Sequence, residues 1–351
     1  MKMSRYQGKK LLSGKAYSIF CICLFAMIVL MAIVSFALGR FSKLSVFDIP
    51  KILLHQIIPS IEQTWSSTDE SVLINLRLPR IIAAVVVGAS LAISGASYQA
   101  LFANPVASSD TLGVTASAAF GAILGILLNV STISVKLLSF AIGCGAVLLV
   151  FSVASRLSKG RNLTVFLILI GMVASSMFQA MLSVLKFVAD PVDQLPKITY
   201  WLMGSFSNVR LRDIPFCILF FVVGSLPLIL MRWRTNLLSL TEYEAKSLGE
   251  NIFMLRTVTV VCATLLTSSA VAMTGGISWV GLVIPHITRF IVGSDARKLL
   301  PASALLGSLF LLIMDDIARS ASVYELPISV LTSLIGAPIF FIILIRSREN
   351  I

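Results

Sequence analysis

Apolar runs separated by short polar segments divide the chain from residue 16 to residue 345. A helix that crosses the hydrocarbon core of a bilayer needs about 20 predominantly apolar residues. That length predicts spans at 16–39, 79–101, 112–129, 137–155, 163–185, 214–231, 253–273, 277–292, 301–319 and 326–345. Lipid cannot satisfy an exposed backbone, so each run is expected as a helix. The pattern predicts an all-α, polytopic membrane protein of about ten helices. It forms one transmembrane domain over 1–351, with a short basic tail at 1–15 and one long polar connection at 232–252.

Small residues are also patterned. Gly88, Ala92 and Gly95 share one face of the second span, and Ser117, Gly121 and Gly125 form a ridge on the third. Between helices in lipid, small residues let backbones approach closely, so tight packing is expected there. Ser94-Gly95, Pro105 and Gly113 recur 180 residues later as Thr274-Gly275, Pro285 and Gly293. The copies would run in opposite directions, the pattern of an inverted repeat relating spans 2–5 to spans 7–10.

Composition agrees with a lipid-embedded chain: 57% of residues are hydrophobic and only 13% are charged. The net charge of +12 would suggest nucleic acid in a soluble protein. Here the basic residues sit in short segments between apolar runs, where they orient the chain, and a nucleic-acid partner is rejected. Their excess at 2–15, 156–161, 231–256, 297–298 and beyond 345 predicts that both termini are cytoplasmic. The basic start lacks a small-x-small cleavage site, which favours a retained first span over a secretory signal. The five cysteines lie inside apolar segments and match neither a zinc site nor a disulfide framework, so no metal site is expected.

Polar residues at the ends of spans carry the candidate chemistry. Arg77 and Arg80, in LRLPR, fall at the outer end of the second span, and Arg319, in DDIARS, at the outer end of the ninth. The guanidinium fork suits carboxylates, so the three could receive an acidic protein. The alternatives are headgroup anchoring or pairing with Asp315 and Asp316. On the inner side, TEYEAKSLG reads as a short helix, capped by Thr241 with Glu244 three residues on and stopped by Gly249. Such a helix could enter a groove on a soluble partner or serve as a solvated connector. His286 is expected as a hydrogen-bonded structural residue, with Arg289 one turn later stiffening the same span. The chain has no GxxxxGK[ST] loop, nucleophile elbow or HExxH pair, which argues against ATP hydrolysis within it and against an intramembrane enzyme. An ion-driven secondary carrier would show an ionisable group mid-span, and only Asp315 and Asp316 come near.

LRLPR, GASLAISGASYQALFANP, EAKSLG, GGISWVGLVIPHITR, LLPASALLGSLFLLIMDDIAR and ELPISVLTSLIGAPIFF follow one another over about residues 75–345. In that order they resemble the permease subunits of the iron-chelate and cobalamin class of ABC importers, the FecCD and vitamin B12 permease family. The resemblance implies a multi-pass protein of a bacterial or archaeal cell membrane, paired with a second copy or a paralogue. Beneath it would sit two ATP-binding subunits that hold ATP and Mg, so the chain itself carries no cofactor and no catalytic residue. An extracytoplasmic binding protein would dock on Arg77, Arg80 and Arg319. The family's cytoplasmic gate matches Asn104, Pro105, Val106 and Ala107. Val106 replaces the usual leucine, and Ser108 and Ser109 replace an Asp-Pro pair. The ATPase-coupling helix matches Glu242, Glu244, Ala245, Lys246, Ser247, Leu248 and Gly249, with Lys246 where alanine is common. The implied cargo is an iron complex, a siderophore or haem, with cobalamin and molybdate as alternatives. A secondary transporter is the reading outside this family.

Overall fold

The computed structural model describes residues 12, 14–38, 48–56, 58, 63–158, 163–240, 244, 247–321 and 325–348. Those residues hold helices and turns and no strand. We number the helices α1 (Gly14–Ala37), α2 (Asp48–His55), α3 (Ser67–Leu101, with a π turn at Leu73–Arg77) and α4 (Val114–Leu127). There follow α5 (Thr132–Ser158), α6 (Leu163–Val188), α7 (Gln194–Leu202) and α8 (Ile214–Leu230). The last four are α9 (Ile252–Thr274), α10 (Val280–Val292), α11 (Ala296–Ser320) and α12 (Ile328–Arg348).

Each of the ten predicted runs contains one helix. Seven of the helices are long and apolar enough to cross a membrane, while α4, α10 and the apolar part of α12 are shorter. The shortening of α4 and α10 has a local cause at the start of each. Turns and a 3₁₀ segment occupy 102–113 before α4, and α10 begins only after Gly275 and Trp279, both with positive φ. The loops on either side of these spans are not featureless, since α2 and α7 lie within the segments expected as connections.

Burial sorts the helices into a centre and a periphery. In α3 and α9 most residues of the apolar window are inside the protein, 83% and 78%, against 17% in α6. The central helices are rich in Ala, Gly and Ser, whereas α6 exposes Met172, Val173, Met177 and Val184. Serine in a buried helix needs a partner, and along α3 it finds one on its own backbone. Ser90 donates to the Val86 carbonyl (2.8 Å), Ser94 to Leu91 (3.0 Å) and Ser97 to Ile93 (2.8 Å).

Close approach requires glycine at two crossings. A Cβ on Gly88 of α3 or on Gly307 of α11 would strike the backbone of the other, and Ala92 also lies against Gly307. One would do the same from Gly95 into the backbone of Gly281 in α10. The ridge on α4 packs as expected, Gly121 against Leu138 and Ser139 of α5, and Gly125 against Val135. Of the positions paired across 180 residues, Gly113 and Gly293 share a left-handed φ (75° and 89°). Pro105 stands in a turn whereas Pro285 is inside α10, so these two positions do not share a local structure.

A side chain forced into such a contact is expected to cost at least the usual 1–3 kcal/mol of overpacking. Gly88→Val should therefore lower the melting temperature of the purified protein in detergent. Gly145→Ala, where no atom lies within 4 Å of the new methyl group, should be neutral or slightly stabilising in the same assay.

Candidate functional site

Three regions contain the residues singled out from the sequence. The first is an ionic cluster where α1 ends, α3 begins and α11 ends. Arg77, Arg80 and Arg319 are all buried, at 4%, 8% and 9% exposure. Arg80 grips Asp315 with Nε (2.9 Å to both carboxylate oxygens) and Nη2 (2.8 Å), and gives Nη1 to Glu325 (2.8 Å). Arg319 pairs with Asp316 one turn earlier on α11 and donates to the carbonyls of Ser35 (2.6 Å) and Leu38 (3.1 Å). Arg77 donates to the carbonyl of Phe36. The final carbonyls of a helix have no intrahelical partner, and cations are favoured at that end. Arg77 and Arg319 thus cap the end of α1, while Ser35 Oγ completes the join by donating to Asp316 (2.7 Å).

The second region is the turn after α3. Asn104 folds it locally: its side-chain oxygen accepts from Val106 N (3.0 Å) and its carbonyl from Ala107 N (3.2 Å). Asn104, Pro105 and Val106 are exposed and Ala107 is buried. Ser108 then starts the 3₁₀ segment Ser109–Leu112 in a capping box with Thr111, and Gly113 with φ 75° releases the chain into α4. Behind this turn lies a cavity of about 250 Å³ between α3, the start of α4 and the start of α10. Its polar wall comes from Ser94, Ser108, Ser109, Asp110, Thr115 and Ser278, and Trp279 forms part of its apolar wall.

Trp279 and this cavity were not foreseen from the sequence. The only signal was GGISW, whose glycine pair falls between the spans predicted at 253–273 and 277–292 and whose Trp279 falls inside the second. Arg289 does not stiffen α10 alone: its Nη2 donates to Gln99 Oε1 (2.9 Å), and Gln99 Nε2 donates to the Leu282 carbonyl (3.2 Å), which ties α10 to α3. His286 corrects the expectation of a hydrogen-bonded residue. Its ring packs edge-on against Phe290 and Phe340, and neither nitrogen has a hydrogen-bond partner among the described residues.

The third region joins the long polar connection to the helix bundle. Glu242, Ala245 and Lys246, with Thr241, lie outside the described residues. Glu244 is helical and exposed, Ser247 Oγ donates to its carbonyl (2.7 Å), Leu248 is exposed, and Gly249 has φ 76°. Both roots of this segment are fastened. Asn251 caps α9, its side chain accepting from Met254 N (3.0 Å). Asn236 donates to Asp295 Oδ1 (2.9 Å) and accepts from Ala296 N (2.8 Å), binding the connection to the first turn of α11. Burial alone would raise the Asp295 carboxyl. Hydrogen bonds from Asn236 and from the Arg297 backbone and side chain outweigh it and hold the group below its ordinary value. A further buried pair, Lys136 with Asp213 (2.6 Å), fastens α5 to the turn before α8.

A model of the FecCD transport family matches residues 21–346. The chain belongs to that family. It is 39% identical over 324 residues to a protein of Haemophilus influenzae named molybdate import system permease protein MolB, which covers 92% of this chain and 94% of that protein. A Helicobacter pylori protein named probable iron chelatin transport system permease is 37% identical over 282 residues, 79% of this chain and 83% of its own. Among solved structures, one described as an inward-facing conformation of a metal-chelate type ABC transporter superposes with a TM-score of 0.82 at 36% identity. It spans 94% of this chain and 99% of that one. The protein is accordingly a multi-pass permease of the ABC importer class.

Removing one partner of a buried ion pair leaves the other charge uncompensated, at a cost of about 3–5 kcal/mol. Arg319→Met is expected to destabilise by that order and to expose the end of α1 to proteolysis, and adding Asp316→Asn should restore part of the loss in thermal melts. The Asp295 clamp carries the opposite sign of pH dependence from a raised group. Its contribution is fully present above the ordinary carboxylate range near pH 4 and is lost only as pH falls through the lower folded value. Protection of the Ala296 and Arg297 amides from hydrogen exchange, corrected for intrinsic rate, should thus be flat from about pH 5 to 8.

Proposed function

We propose that this FecCD-family permease imports an iron complex, a siderophore or haem, and works as one transmembrane domain beside a second copy or a paralogue. Both termini lie in the cytoplasm in this reading. Two ATP-binding subunits supply the energy, and a binding protein outside the membrane delivers the cargo. The observation that carries the mechanism is the double fastening of the 244–249 segment. Its described residues Glu244, Ser247, Leu248 and Gly249 are exposed, yet the roots of the connection run into the first turns of α9 and α11 through Asn251 and the Asn236–Asp295 pair. Both of those helices pack on α3, and α3 leads directly into the Asn104–Ala107 turn.

A push on an exposed lever held in this way reaches the core helices rather than a free loop. A loaded binding protein docks at the end bearing Arg77, Arg80 and Arg319 and releases cargo between the two permease halves. Closure of the ATPases presses on the coupling residues Glu242 to Gly249, α9 and α11 shift against α3, and the turn at Asn104, Pro105, Val106 and Ala107 opens. Each step requires a partner that binds one arrangement better than the other. Asp315 and Asp316 offer little support to an ion-driven carrier, since both are paired with arginines at the end of α11.

An iron chelate is favoured because one relative is named for iron chelatin transport and the superposed structure is of the metal-chelate type. Molybdate is the second reading, favoured by the relative named for molybdate import, and cobalamin the third. Uptake of labelled ferric siderophore, haem, molybdate and cobalamin by cells expressing the full system separates them. Accumulation in vesicles lacking any ATPase would sink the importer mechanism.

Two variants test the roles. Arg77→Glu with Arg80→Glu is expected to weaken docking of the binding protein by about tenfold or more while the chain still inserts, and to lower the melting temperature as well, because Asp315 and the end of α1 lose their partners. Gly249→Pro replaces a residue at φ 76° by one locked near −65° and should leave ATP hydrolysis in place while uptake falls.

A further inference from the structure

The three arginines at the docking end are not equivalent. Arg77 and Arg319 are spent on the end of α1, where they hold the carbonyls of Phe36, Ser35 and Leu38. Withdrawing either would strip a helix terminus of its cap. Arg80 differs, because its two acidic partners differ from each other. The Asp315 side chain is wholly buried and takes the Nε and Nη2 edge, so moving it away would leave a charge without solvent or partner. The Glu325 side chain keeps 31% of its surface exposed and takes only Nη1, through Oε1. Its second oxygen, Oε2, has no partner among the described residues.

Resting on the docking reading above, we propose that Glu325 is an internal stand-in for the carboxylate of the docking protein, and that docking proceeds by exchange of Glu325 for that carboxylate on Arg80. The exchange swaps one carboxylate for another at the same donor, while the released Glu325 regains water. The backbone around it need not move. Leu326 N is held by the Ala318 carbonyl (3.1 Å), Ile328 N by Gly204 (3.1 Å) and Ser329 N by Met203 (3.1 Å), so a rotation of the Glu325 side chain is sufficient. Closed on Arg80, Glu325 also covers the one donor that Asp315 leaves open, Nη1, when no partner is docked.

An internal competitor reduces apparent affinity by the fraction of time it occupies the site. A partly exposed ion pair is a weak one, so removing this one should tighten docking about two- to six-fold. The test uses the full permease with its ATPase subunits in nanodiscs and the cognate binding protein, isolated by cross-linking to the permease in its native membrane. Affinity is measured for wild type, Glu325→Gln and Asp69→Asn. Asp69 is a half-buried acid in the first turn of α3 that accepts from the Ser66 hydroxyl (2.8 Å) and makes no bond to Arg80, so it reports the long-range effect of losing a negative charge.

Tighter docking for Glu325→Gln, with a smaller change for Asp69→Asn, supports the exchange. Unchanged or weaker docking for Glu325→Gln overturns it, as does an equal gain for both variants, which would mean only a general charge effect. Failure of the wild type to bind the protein at all would overturn the docking reading itself, and the exchange with it. Thermal melting of Glu325→Gln close to wild type confirms that the variant is folded in each case.

Discussion

The contact of α3 with its neighbours is the constraint on which the rest depends. Lipid gives helices no hydrophobic reason to associate, so the centre of the bundle has to be held by close backbone packing and by polar bonds. Gly88 against Gly307 and Gly95 against Gly281 provide the first. They fix α3 on α11 and α10 at distances that no larger residue permits. Serines on α3 return their hydroxyls to their own helix, and this leaves the helix surface narrow without leaving an unpaired donor.

Once α3 and α11 are so close, their charged ends must share one small volume. Arginines and carboxylates at the edge of a membrane are costly unless they are paired. The cluster meets that demand by matching Arg80 to Asp315 and Glu325, and Arg319 to Asp316, with the end of α1 absorbing the remaining donors. The same proximity at the other end delivers α10 to α3 through Gln99 and Arg289. The π turn at Leu73–Arg77 sits where α3 enters this cluster and brings Arg77 to the end of α1.

Much of this was legible in the sequence because hydrophobic length is a strong signal in lipid. The ten apolar runs each became a helix, and the small-residue faces became close contacts, since both follow from spacing alone. What spacing does not encode is which polar residues meet across the chain. Asp315 and Asp316 could be paired with arginines in principle, yet nothing in the sequence assigned Glu325 to Arg80 or Asn236 to Asp295, which lie 245 and 59 residues apart. The cavity was hidden for a related reason. It arises where the interruption between α9 and α10 runs on through Trp279 at φ 71°, so that α10 starts at Val280 rather than at the predicted 277, and apolar length alone does not show a helix starting late. His286 looked like a residue needing hydrogen bonds, but its aromatic neighbours come from α10 and α12, and the pairing with Phe340 is again long-range.

The polar lining of the cavity bears on how one architecture accompanies relatives named for unlike cargoes. Ser94 already donates to the Leu91 carbonyl, Ser108 and Thr111 are occupied in a capping box, Ser109 and Thr115 are 3.5 Å apart, and Ser278 receives the hydroxyl of Ser329 at 3.3 Å. Hydroxyls engaged in this way have few free donors to aim at a ligand, and specificity by hydrogen bonding depends on groups left unpaired when the wrong ligand enters. Such a wall wets easily and, apart from the exposed Asp110 carboxylate, offers a ligand few directed bonds. In the proposed mechanism selection of cargo would then belong to the protein that delivers it, and the ionic cluster, where Glu325 keeps 31% of its side chain exposed, is the surface proposed to meet that protein.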